Sequence, residues 1–260
     1  MVHLKSTTEI EKMAAAGRIV SDVLAAIGEQ ARPGVSTALL DQTARDIMRR
    51  AGGKPSFLGY GQPPFPAAIC TSIDCEVVHG IPSPKRILED GSILSIDVGV
   101  NLDGYHADAA RTFYIGTVHE SVKELVQAAK DCFWLAYAKA VVGNRIGELS
   151  ATIQTHAESH GYGVVRELTG HGIGRNLHEE PDVPNFGRRG HGLRLEAGMV
   201  LAVEPMINLG TRRVLMLDDG WTIVTADGKP SAHYENTFAV TGQGPLVLTA
   251  LAGESTDVPG

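Results

Sequence analysis

The chain has 260 residues, 43% of them hydrophobic and 20% charged, with a formal net charge of −7. This balance excludes disordered, collagenous and coiled-coil classes and suits a soluble α/β protein of one large or two small domains. An acidic chain whose basic runs stop at Arg49-Arg50 and Arg212-Arg213 offers no phosphate-tracking stripe, so direct nucleic-acid recognition is not expected. In chain order, Ser6 and Thr8 each precede a glutamate by three residues, a doubled capping-box signal, and the apolar face from Ile10 to Ile27 predicts a helix to about Gly28. Pro33-Gly34 breaks it, and Leu39, Leu40, Ala44, Ile47 and Met48 outline a second helix ending at Gly52-Gly53. Residues 55–66 read as an irregular aromatic loop carrying Phe57, Tyr60 and Phe65, and 69–78 as one strand delivering His79 at its end. Two further helices are expected up to Gly143 and up to Gly161, then strands. A helix pair followed by strands thus occurs twice, without an evident linker, which predicts a pseudo-repeated single domain over 1–252 with a flexible tail at 253–260.

The most informative stretch is LSIDVGVNLDGYHADAARTF at 94–113. Two alternating apolar arms flank Asn-Leu-Asp-Gly, a strong hairpin signal. Each arm carries an aspartate among small or apolar neighbours, where an unpartnered carboxylate is costly to bury. With Leu102-Asp103 as the loop, Asp97 faces Asp108; with Asp103-Gly104, Asp97 faces Ala110 and Asp108 is its diagonal neighbour on the same face. A three-residue loop would separate them, and two aspartates solvating a surface hairpin is the bland alternative. Further on, the glycine-rich segment around His171 and His178 does not make GxGxxG and so fails as a nucleotide loop. Glu204 ends the apolar run Met199 to Val203, and Glu235 falls within SAHYENTFAV, a predicted strand over 231–240 with Glu235, Thr237 and Ala239 on one face. Asp97, Asp108, His171, Glu204 and Glu235 form an oxygen and imidazole donor set without thiolate. Four carboxylates are balanced better by two divalent ions than by one, and the donors suit Mn(II), Fe(II), Co(II) or Zn(II) alike.

VVHGIP at 77–82, SIDVG at 95–99, HADAARTF at 106–113, GHGIGRNLHEEP at 170–181, VEP at 203–205 and HYENT at 233–237 together resemble the type I methionine aminopeptidases in their compact bacterial form. The resemblance covers nearly the whole chain. It implies the pita-bread fold, an α/β (α+β) architecture of pseudo-twofold halves with helices outside a curved, mainly antiparallel sheet. It also implies removal of N-terminal methionine from nascent proteins whose second residue is small, with water activated at a dinuclear metal centre. Asp97 would then chelate one ion, His171 and Glu204 the other, and Asp108 and Glu235 would bridge both. Glu204 would shuttle a proton. His79 and His178 would hold substrate without ligating metal, and Tyr60, Phe65, Cys70 and Trp221 would line the pocket for the first side chain. Val78, Ala107 and Leu177 depart from residues frequent in that family, and none removes a ligand.

Prolidase and aminopeptidase P share this donor set but resemble longer chains with an extra N-terminal domain, for which the stretch before Asp97 is too short. A binding-only relative would be marked by lost ligands and a basic surface, neither of which is seen. Cys70, Cys75 and Cys132 fall in no CxxC or zinc pattern and fit a reducing compartment, and no apolar run resembles a signal peptide or a membrane span. A cytoplasmic monomer acting on nascent polypeptide N-termini is expected, with ribosome docking left open.

Overall fold

The capping box at Ser6 forms: its hydroxyl accepts the Glu9 N–H, the Glu9 carboxylate accepts the Ser6 N–H, and α1 (Thr7–Gln30) starts there. The computed structural model describes residues 2–254 and 259. Helix α2 (Thr37–Arg50) follows, and Val20, Val23, Leu24, Ile27, Leu40 and Met48 of this pair pack on Leu94, Ile96, Val98 and Val100. Helices α3 (Glu120–Tyr137) and α4 (Ile146–Ser159) repeat the arrangement, with Phe133, Trp134, Leu149 and Ile153 against Leu201, Val203, Ile207 and Phe238. Helix α3 stops six residues short of the expected Gly143, closing with tight turns from the Lys139 and Ala140 N–H groups to Ala136 and Tyr137.

The named strands pair antiparallel throughout. In the first half, Ile93–Leu102 is flanked by Lys54–Pro55, Cys70–Ile73 and Tyr105–Tyr114. In the second, Val200–Val203 lies between Asn236–Thr241 and Thr169–Gly172, with Gly244–Val247 and Glu179–Pro184 at the edges. Two smaller sheets complete the fold. The halves meet where the Ala110 N–H donates to the Glu235 carbonyl (3.3 Å) and the Glu235 N–H to the Ala110 carbonyl (3.0 Å). A third apolar cluster joins Met13, Phe57, Phe65 and Tyr105 from the first half to Ile173, Val200 and Ala239 from the second.

Three further sequence expectations change. Residues 69–78 are not one strand but two, Cys70–Ile73 and Glu76–Val78, separated by a turn at Asp74 with φ 51° and paired in different sheets. The Asp74 carboxylate stabilises that turn by accepting from the Ser92 hydroxyl and the Ile93 N–H. The strand expected over 231–240 divides into Ser231–His233 and Asn236–Thr241, which pair in different sheets; Glu235 sits at the switch, its peptide groups taken by Ala110. Glu254, expected in a frayed tail, is instead tied to buried Arg111 (2.7 Å) and to the Tyr234 hydroxyl (2.7 Å), because Arg111 would otherwise hold an unbalanced buried charge. Of the expected tail, residues 255–258 and 260 lie outside the described residues.

Candidate metal centre and pocket

The central hairpin turns on Asp103 and Gly104, with φ 50° and 82°. This primed two-residue turn suits the strand twist, and glycine takes its second position without strain. The Asn101 side-chain oxygen accepts the Gly104 N–H. Of the registers open in the sequence, the structure has Asp97 opposite Ala110 and Asp108 opposite Gly99, so the two aspartates are diagonal neighbours on one face. The second half brings three more polar side chains to that face. His171 stands in Thr169–Gly172, and its Nδ1 donates to the Gly172 carbonyl (2.9 Å), leaving Nε2 free. Glu204 follows Val200–Val203, its carbonyl fixed by the Asn185 amide (2.9 Å). Donor atoms of Asp108, His171 and Glu235 lie within 4.8 Å of one another. Glu204 Oε1 is 3.8 Å from His171 Nε2.

A cavity of about 130 Å³ opens on this cluster. Asp97, Asp108, His171, Glu204 and Glu235 line it together with His79, His178, Tyr60, Phe65, Cys70 and Trp221, so every residue singled out in the sequence reaches one space. The Tyr60 hydroxyl is 2.5 Å from His178 Nδ1, and the His178 ring lies 4.2 Å from that of His171. Trp221, anchored by its indole N–H on the Pro63 carbonyl (3.0 Å), presents its ring to Phe65 at 5.2 Å and His79 at 5.8 Å, both edge-on. His79 occupies the left-handed region at φ 60°, held at the end of the Glu76–Val78 strand. Phe57 and Leu177 complete the wall. Phe57 carries no pocket signal in the sequence, because an aromatic in an irregular loop has no readable direction. His233 was also missed: its buried Nε2 lies 3.7 Å from Glu204 Oε2, and its only signal was its place two residues before Glu235.

Burial pushes all four carboxylic acids toward their neutral forms, Asp108 up to about 7 and Asp97, Glu204 and Glu235 well above the usual range, with mutual repulsion adding to the last three. Burial pulls the histidines the other way, His79 down to about 4 and His171 to about 3, with His178 repelling both. Among the described residues, Asp97 Oδ1, Asp108 Oδ1 and Glu235 Oε1 are buried without any hydrogen-bond partner. Orphaned acceptors of this kind carry a penalty of about 1–3 kcal/mol each, more when charged, unless a cation meets them. Hard oxygen donors with one neutral imidazole fit divalent first-row ions, and Asp108, His171 and Glu235 form a candidate metal-binding group.

Residues 11–242 match metallopeptidase family M24. A methionine aminopeptidase of Clostridium acetobutylicum is 51% identical over 96% of this chain and 99% of its own length. The crystal structure of a methionine aminopeptidase from Thermotoga maritima superposes with a TM-score of 0.94 at 39% identity, covering 96% of this chain and 99% of that one. The prolidase of Pyrococcus horikoshii shares the fold at a TM-score of 0.76 and 23% identity, with 64% of its chain covered.

Proposed function

Because the chain belongs to metallopeptidase family M24 and matches methionine aminopeptidases over nearly its full length, we propose that it removes N-terminal methionine from nascent polypeptides whose second residue is small. The observation that carries this reading is the convergence of three orphaned carboxylate oxygens with a free imidazole nitrogen in one small, aromatic-walled cavity. Asp97, Asp108, His171, Glu204 and Glu235 would hold two divalent ions, of manganese, iron, cobalt or zinc. Bound there, such ions supply Lewis-acid polarisation of a carbonyl and acidify water.

The chain's own groups supply the rest. Glu204 reaches the cavity beside His171 and serves as the base that takes a proton from the attacking water and delivers it to the leaving amine. We assign the Tyr60 hydroxyl as donor to His178 Nδ1, which places the ring proton on Nε2, where it donates to the scissile carbonyl as negative charge develops there. Neutral His79, held against Trp221, meets the next amide. Tyr60, Phe57, Phe65, Cys70 and Trp221 enclose the first side chain. Their aromatic faces and thiol favour an unbranched thioether, with sulfur–aromatic contacts adding about 0.3–1.5 kcal/mol. His79 and His178 crowd the second residue, which restricts it to Gly, Ala, Ser, Thr, Pro, Val or Cys. No helix among the described residues is long and apolar enough to cross a membrane. We assign the activity to a cytoplasmic monomer.

Tripeptides test the reading. Met-Ala-Ser is expected to be hydrolysed fast. Leu-Ala-Ser should be slower by a factor of about 10–200, the discrimination an apolar pocket achieves per methylene. Met-Lys-Ser and N-acetyl-Met-Ala-Ser should be left intact. Equal rates on the first two would overturn the methionine assignment, and cleavage of the acetylated peptide would remove the aminopeptidase reading as well.

A further inference from the structure

A buried ion pair lies outside the pocket, and the mechanism above makes no use of it. The Lys5 ammonium sits 2.6 Å from Glu179 Oε2, with the lysine side chain 2% exposed and the glutamate 12%. Such a pair is a poor source of stability, since desolvation consumes most of its attraction and apolar replacements often do as well. What it does fix is geometry. The Lys5 N–H donates to the Gly198 carbonyl (2.7 Å), so the lysine springs from backbone just ahead of Val200–Val203, the strand that delivers Glu204. The other oxygen of Glu179 accepts the Asn176 N–H (3.1 Å), closing a ring around Leu177 and His178. The same loop is held upstream, where the His106 N–H donates to the Gly174 carbonyl (2.8 Å). A Cβ on Gly174 would fall 2.5 Å from Lys5 Cε and 2.7 Å from Glu179 Oε1, so the loop backbone lies directly against the ion pair. On its pocket side, by contrast, the His178 ring has, among the described residues, only the half-exposed Tyr60 as a hydrogen-bond partner.

We propose that Lys5 and Glu179 form a latch that positions His178: a residue two positions ahead of the first helix sets the angle at which this imidazole enters the cavity. The proposal rests on the reading of His178 as a substrate-contacting group. Lys5 and Glu179 are positioning residues, acting through the backbone of 176–179 and touching no substrate. A misplacement of about 1 Å in a reacting group can cost on the order of 10²-fold in rate, so the latch is a determinant of kcat.

The experiment measures kcat, KM and metal content with Met-Ala-Ser for the wild type, Lys5→Met, Glu179→Gln, His178→Ala and the double variant Lys5→Met/His178→Ala. The histidine ring nitrogens of the metal-free proteins are followed in parallel by NMR. Lys5→Met is expected to lower kcat about tenfold, with KM within about twofold and metal content unchanged, and to shift the His178 ring resonances but not those of His79. In the His178→Ala background the same substitution should change kcat by less than about twofold, because the latch has nothing left to position. Glu179→Gln keeps the side chain's shape, and it carries the same test if Lys5→Met does not fold. An equal loss in both backgrounds, or unshifted His178 resonances, overturns the latch. An undiminished kcat for His178→Ala would instead overturn the site reading, and the resonances would then decide the latch alone.

Discussion

Asp108 concentrates the electrostatic problem of the site: it is buried, diagonal to Asp97, and has one oxygen without a partner. A cation that binds the folded state alone stabilises it by about 3–4 kcal/mol at 100–1,000 times its Kd. Removing metal with EDTA should therefore lower Tm, and Asp108→Ala should abolish that response; a melting curve indifferent to chelator in the wild type would contradict the centre. His79→Ala and His178→Ala should behave differently, retaining metal while losing about 10²-fold in kcat. Metal analysis beside steady-state kinetics separates the two classes. These side chains were legible in the sequence because each breaks a local rule: a carboxylate in an apolar strand, or a histidine between glycines. His233 breaks none, standing in a polar stretch, and its 3.7 Å approach to Glu204 depends on a change of sheet that the sequence does not show.

Elements were legible where a single local signal dominates and illegible where tertiary pairing divides a continuous pattern. The Asp103-Gly104 turn and the Ser6 capping box follow from their residues, whereas 231–240 alternates like one strand and is split only because the Glu235 peptide bonds to Ala110. The start of α1 carries a pH signature. The Ser6 N–H, the Tyr105 hydroxyl and the Ser6 hydroxyl hold the Glu9 carboxyl down to about 2, against a usual value near 4.5. A depressed pKa means that the folded state releases its proton more readily, so the stabilisation is complete above pH 4.5 and is lost as pH falls toward 2. Glu9→Gln should cost roughly 1 kcal/mol at pH 6, the usual size of a cap contribution. Its deficit in urea midpoint should shrink progressively between pH 4.5 and pH 2; a deficit constant with pH would show that the charge is irrelevant.

Across the whole molecule, the C-terminal end and the seam act together. Arg111 donates to the Asn236 side chain (2.9 Å) and to the Glu235 carbonyl, lies 4.2 Å from the centre of the Tyr234 ring, and has Glu254 as its carboxylate partner. Glu254→Ala would leave that guanidinium buried without a counter-charge and should cost about 3 kcal/mol. Urea denaturation should show Glu254→Gln losing less, since it keeps an acceptor; equal stability of all three proteins would mean that Glu254 contributes nothing. The seam itself has a different implication. Asp97 and Asp108 belong to the chain before α3, and His171, Glu204 and Glu235 to the chain after it, with the Ala110–Glu235 peptide pair as the stitch. Cut in the exposed loop between Gly116 and Thr117, the protein would yield two fragments, neither able to assemble a donor set. Co-expressed, they should regain peptidase activity only as they associate, so turnover becomes a direct reporter of fragment complementation, and activity in either fragment alone would place the centre elsewhere.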